Sequence, residues 1–140
     1  MRPLATRAVF TFTGFPQTPP RHLYLHHDGY PAGAAWRFAT AQHHHPDAAA
    51  FLAAFLSSQP GALALASPEQ AADAEYRYLM EHCAGGDPRL QVRCWWRRPG
   101  TASWTCRCGP LALGVFIQRF LPDGMGSGAA DLGRICHNPL

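Results

Sequence analysis

Residues 8–13 alternate apolar and polar side chains, residues 14–20 are rich in Gly and Pro, and residues 21–27 alternate again. This pattern predicts an antiparallel hairpin with a longer loop. Within 21–27, His22, Tyr24 and His26 share one face, and Leu23, Leu25 and His27 share the other. Asp28-Gly29-Tyr30-Pro31 then ends the strand. Glycine tolerates unusual backbone angles, while proline extends the residue before it and suits a first helical turn. A helix over about residues 32–41 follows, its modest apolar stripe set by the spacing of Ala35, Phe38, Ala39 and Gln42. Pro46 breaks the run, and Asp47 is placed to cap a second helix reaching about Ser57. Phe51, Leu52, Phe55 and Leu56 fall on one side of it, making this the clearest amphipathic segment. Gln59-Pro60-Gly61 ends that helix. Ser67-Pro68-Glu69-Gln70 resembles a capping box with room for only a turn or two.

From Glu75 the period becomes two. Strands are predicted over 75–82, 90–97 and 102–108, with turns at 84–88 and at Arg98-Pro99-Gly100-Thr101. Residues 113–120 read both ways. Leu113, Phe116, Ile117 and Phe120 have helical spacing, but Gly114-Val115-Phe116-Ile117 favours a strand, and strand is the assignment taken. Residues 122–140 form a glycine-rich tail expected to be irregular, which leaves a single domain over 1–121. The expected architecture is α+β: an N-terminal hairpin, two helices, then an antiparallel meander, in one sheet with the helices on one face.

The chain has 140 residues, enough for one domain with a sizeable core. No apolar run approaches the roughly 20 residues of a membrane span. The amino-terminal residues mix polar and apolar side chains, so a cytoplasmic location in the host cell is expected. All twelve basic residues are arginine, giving a mild net charge of +3. Arginine suits interfaces and phosphate or carboxylate recognition, and it is also what a GC-rich coding bias supplies. Eight histidines can add positive charge below their usual pKa of about 6.5. Five cysteines in a cytoplasmic chain are expected to be mainly buried thiols.

The stretch Leu23-Tyr24-Leu25-His26-His27-Asp28-Gly29-Tyr30-Pro31 resembles a motif of small phage and prophage accessory proteins, in which a Tyr-x-His-x strand leads into Asp-Gly-Tyr-Pro and a helix. Glu75-Tyr76-Arg77-Tyr78 is similar to a Glu-Tyr-x-Tyr strand that those proteins carry downstream. The resemblance implies an accessory protein of a mobile element and, by analogy, a host-interaction or counter-defence role. The histidine runs, the cysteines and the tryptophan-rich hairpin depart from that pattern.

Residues 26 and 28–31 admit two readings. His26, Asp28 and Tyr30 could line a pocket, or His26, Asp28, Gly29, Tyr30 and Pro31 could simply build a rigid corner in which Asp28 accepts backbone N–H bonds. Potential metal ligands are numerous: His26-His27, His43-His44-His45, His82-Cys83, Cys106, Cys108 and Cys136-His137. No cysteine pair has the spacing of a structural zinc site, however, so no metal and no cofactor is implied. Cys106 and Cys108, one residue apart on a strand, are expected on the same face. Cys83 beside His82 faces the opposite way, and no nucleophile elbow, phosphate loop or zinc-protease helix is present. An enzyme is therefore not the favoured reading.

The hairpin at 90–108 is the most informative surface. Centred on Pro99-Gly100, it would pair Arg97 with Ala102 and Trp95 with Trp104. Arg93, Trp95, Arg97, Trp104 and Cys106 would then share one face, and Val92, Cys94, Trp96 and Thr105 the other. A two-layer domain buries only one of them well. Arg93, Trp95, Arg97, Arg98 and Trp104 are thus the candidate partner-binding residues, since Arg and Trp dominate binding hot spots. The expectation is a non-enzymatic binding protein whose partner is a host or phage macromolecular complex, protein or ribonucleoprotein. An inhibitor of a defence complex, of the anti-CRISPR kind, is the specific form of it. A single-stranded nucleic-acid binder and a zinc module are the alternatives.

Overall fold

The computed structural model describes residues 6–86 and 89–121. Two strands, β1 (Ala8–Thr13) and β2 (Arg21–Leu25), form the expected antiparallel hairpin. Helix α1 (Pro31–His44) follows, with Pro31 opening its first turn. A single 3-10 turn at Ala48–Ala50 leads into α2 (Phe51–Ser58), and Asp47 Oδ1 accepts the Ala49 N–H at 3.2 Å as its cap. A short strand β3 (Leu63–Leu65), not foreseen from the sequence, precedes a 3-10 turn at Pro68–Gln70. The Gln70 side chain there reaches back to accept from the Ala66 N–H at 2.7 Å.

The second half is a meander of β4 (Tyr76–His82), β5 (Leu90–Trp96) and β6 (Thr105–Ala112). It closes with α3 (Leu113–Phe120), where the sequence reading had placed a strand. Burial explains that correction. Leu113, Phe116 and Phe120 all turn inward at helical spacing, and the Phe116 ring meets Phe38 of α1 at 5.7 Å. Contact with α1 overrides the strand preference of Val115 and Ile117.

The six strands form one sheet in the order β3-β2-β1-β4-β5-β6. The β1–β4 pair at its centre is parallel, and every other pair is antiparallel. The fold is α+β with helices on one face, and the sheet is mixed because the chain crosses over through α1, α2 and β3 before β4. Among the described residues no helix is long and apolar enough to cross a membrane. The 122–140 tail lies outside the described residues.

The core fills the space between sheet and helices. Ala8, Phe10 and Phe12 of β1, Leu23 and Leu25 of β2, and Tyr78 and Met80 of β4 face Phe38, Phe51, Phe55 and Phe116. Tyr78 stacks on Phe10 at 4.9 Å and meets Phe38 and Phe116 edge-on. Its hydroxyl donates to the Gly29 carbonyl at 2.6 Å, and burial pushes its pKa well up, so it stays a donor. Gly29 itself donates to the Thr6 carbonyl at 2.9 Å. A Cβ on Gly29 would stand 2.7 Å from Ala8 Cβ and 2.9 Å from the Thr6 carbonyl oxygen, atoms that cannot swing away. Gly29→Ala should therefore destabilise the protein by about 2–3 kcal/mol in urea unfolding, as overpacking does elsewhere. An unchanged midpoint would show that this corner is not a packing constraint.

Candidate functional site

The two faces of the sheet are treated very differently. Among the described residues, all three helices cover one, while the segment 66–75 crosses the other. There Ala71 and Ala74 pack on Val9 and Tyr24, with Leu65 and Trp104 at the edge of the cluster. Tyr24 donates to Asp73 Oδ1 at 2.7 Å, and Asp73 also pairs with Arg7 at 3.3 Å. Burial and then the Asp73 carboxylate push the Tyr24 pKa up to about 12. Beyond this crossing, no helix among the described residues covers the β4–β6 half of the face. Arg77 and Glu81 of β4 lie on it, with Arg93 and Trp95 of β5, because their neighbours Tyr78, Met80, Val92 and Cys94 point into the core.

The hairpin reading held for its faces and failed for its register. Trp95 lies opposite Cys106 and Trp96 opposite Thr105, so Trp95 does not pair with Trp104. The connection runs over 97–104 rather than through a two-residue turn, and Arg97 leaves its place opposite Ala102 for other partners. Its Nε donates to the Ala74 carbonyl at 2.7 Å, and one Nη donates to the carbonyls of Ala72 at 2.7 Å and Ala71 at 3.1 Å. The guanidinium carbon also lies 4.2 Å from the Trp104 ring centroid. Arg97 is a clamp that ties the crossing segment to the hairpin.

Two further tryptophans, Trp95 and Trp96, are covered in the same way. Arg77 stands 5.9 Å from the Trp95 ring, and Arg107 stands 5.2 Å from Trp96 on the helix side of the sheet. Trp95, Trp96 and Trp104 are all half-buried. Arg93 is also half-buried, its stem packed over Gly109, with its Nε sealed from solvent and without a hydrogen-bond partner among the described residues. Arg98 is exposed at the hairpin tip.

Arg77, which the sequence reading did not single out, occupies the decisive position. It lies between Val9 and Trp95 in the register, and among the described residues no hydrogen bond or ion pair engages its guanidinium. Its charge helps to hold the His22 pKa low, second to burial, while Glu69 opposes it. Arg77, Arg97, Trp104, Glu69 and Pro68 line a groove of about 620 Å³ between the crossing segment and the hairpin tip. Its signal in the sequence is strand alternation: Tyr76, Tyr78 and Met80 face inward, so Arg77 must face out.

The corner at 26–31 is both a joint and part of a cleft. Asp28 takes a left-handed φ of 55°. It does not accept the backbone N–H bonds expected of it, because the residue flanking α1 is Tyr30. Instead its Oδ1 accepts the Tyr30 hydroxyl at 3.1 Å. Arg37 holds the corner from α1, donating to the carbonyls of Asp28 and His27 at 2.8 Å each and to Gln59 Oε1 at 3.0 Å. Asp28, Tyr30, Trp36, Arg37 and Gln59 line a cleft of about 250 Å³. His26 lies elsewhere, edge-on to Tyr24 at 4.7 Å, while Gly29 is buried and Pro31 starts the helix. Trp36, 58 % exposed, was missed by the sequence reading. A tryptophan beside, rather than on, the apolar stripe of α1 was the available clue.

The metal-ligating residues do not gather. Among the described residues no group of three or more His, Cys, Asp or Glu side chains could hold an ion. Cys106 and Cys108 are on opposite faces, contrary to expectation. A bulge at Arg107 leaves Cys106 opposite Trp95 and Cys108 opposite Cys94 in the core. His82 is buried against Phe15 at 5.1 Å, and Cys136 and His137 lie outside the described residues. Comparison with protein-family models, with curated proteins and with solved structures gives no match.

Replacing Arg97 with Ala should release the crossing segment, since three carbonyls lose a charged donor at a cost of about 2–3 kcal/mol. The check is hydrogen exchange: the Ala71 and Ala74 amides, bonded to Pro68 and Ala71 carbonyls, should exchange faster while Tyr78 stays protected. Unchanged exchange at both amides would show that the clamp is dispensable.

Proposed function

We propose that this chain is a non-enzymatic binding protein that docks a macromolecular partner on the open β4–β6 half of its sheet. The observation that supports the reading is a groove lined by Arg77, Arg97 and Trp104, with Trp95 beneath Arg77, on a face that no helix covers among the described residues. Arginine and tryptophan are the residues most enriched in binding hot spots. The resemblance of 23–31 and 75–78 to phage accessory proteins directs the proposal toward a host complex in the cytoplasm. Inhibition of a defence assembly by protein–protein contact is its most specific form.

Single-stranded nucleic acid is the weaker reading. Bases need uncovered aromatic faces on which to stack. Trp95, Trp96 and Trp104 each carry a guanidinium from this chain over the ring.

The test is capture from host lysate by the tagged full chain. Arg98→Glu and Trp95→Ala, each with its melting temperature checked, should lower recovery of a captured protein about tenfold, a loss typical of hot-spot residues. Trp36→Ala should leave recovery unchanged. The reverse pattern would move the docking surface to the α1 cleft.

A further inference from the structure

Resting on that docking-face reading, we infer that the groove beside Trp104 takes a carboxylate side chain from an acidic segment of a protein partner, with Arg77 as its receptor. The inference starts from an inventory of charge. Two guanidiniums, Arg77 and Arg97, and one carboxylate, Glu69, line the groove. Arg97 is committed: its Nε and one Nη already serve the carbonyls of Ala71, Ala72 and Ala74. Arg77 carries no hydrogen bond or ion pair among the described residues, although it is half-buried in the sheet. Among the described residues the groove thus keeps a positive excess, concentrated on the Arg77 guanidinium.

That guanidinium is also preset. Trp95 directly opposite on β5 lies beneath it at 5.9 Å, and Val9 of β1 flanks it on the other side. Holding a planar fork against an indole leaves its N–H edge free and reduces the ordering cost of meeting a carboxylate with two parallel bonds. The walls select the size of the guest. Pro68, Ala71 and Ala72 stand on one side and Gly100, Thr101 and Ala102 on the other. All are small side chains that leave room for an extended peptide.

The same features disfavour a nucleic-acid strand. A polyanion needs a track of cations, each neutralising a phosphate. Here one guanidinium without a hydrogen bond or ion pair among the described residues shares its groove with Glu69, and the groove's indoles are capped. A single carboxylate asks for no more than Arg77 supplies.

The experiment uses the full chain and three fluorescent probes: a short peptide of alternating glutamate and glycine, its glutamine counterpart, and an oligothymidylate of matched length. Fluorescence anisotropy should show the glutamate peptide binding at least about tenfold more tightly than the other two. Arg77→Gln should remove most of that difference, Arg77→Lys should restore part of it, and Glu69→Gln should tighten binding about threefold by removing a like charge. Thermal melts confirm that each variant is folded. Equal binding of the glutamate and glutamine peptides would overturn the inference. So would an Arg77→Gln variant indistinguishable from the parent, or tighter binding of the oligothymidylate. The two levels of the argument fail separately. If lysate capture depends on Trp95 but Arg77→Gln is silent in both assays, the carboxylate assignment falls and the docking face stands. If capture ignores Trp95 and Arg98 as well, the docking face falls with it.

Discussion

A buried phenol must find an acceptor, and the Tyr78 hydroxyl finds one 2.6 Å away on the carbonyl of Gly29. This bond joins the central strand of the sheet to the corner from which α1 departs. Because Gly29 has no Cβ, the corner sits directly on Ala8 and Thr6, and α1 is set down over the face that carries Phe10 and Tyr78. α2 and α3 then pack beside α1, their rings meeting Phe38. One face of the sheet is sealed in consequence, and among the described residues the opposite face is crossed by 66–75. The bond joins the segment 23–31 to the segment 75–78, far apart in the sequence.

The second face is organised by another pairing rule. A cation at the end of a short turn satisfies carbonyls left without a backbone partner, and Arg97 does this for Ala72 and Ala74 while adding a second donor to Ala71. The same guanidinium lies on Trp104, so crossing segment, hairpin and indole form one unit. The groove is the space left between them. Arg97 belongs to the scaffold of that groove, whereas Arg77 faces its contents. Sequence pattern alone brings Arg97 forward and leaves Arg77 aside, and their hydrogen-bond partners reverse the two roles.

Much of this was legible in the sequence. Period-two alternation located β1, β2, β4 and β5, and Asp47 marked the entry to α2, because each signal is local. The faces of the hairpin were legible for the same reason. Its register was not, since the carbonyls that attract Arg97 belong to residues more than twenty positions away. The bulge at Arg107, which separates Cys106 from Cys108, has no local signature either. Residues 113–120 carried conflicting local signals, and contact with Phe38 decided between them. Strand β3 is three residues long, too short for any periodicity. Trp36 and Arg77 stand alone in the sequence, and only the fold gathers them with Gln59 in one case and with Arg97 and Trp104 in the other.

The central claim is that the bare half of the sheet, not the helical side, meets the partner. Hydrogen exchange on the complex with a captured partner addresses it directly. Slowed exchange should fall on residues 67–77 and 93–104, which frame the groove. Slowing confined to residues 28–37 and 59, around the Trp36 cleft, would contradict the account.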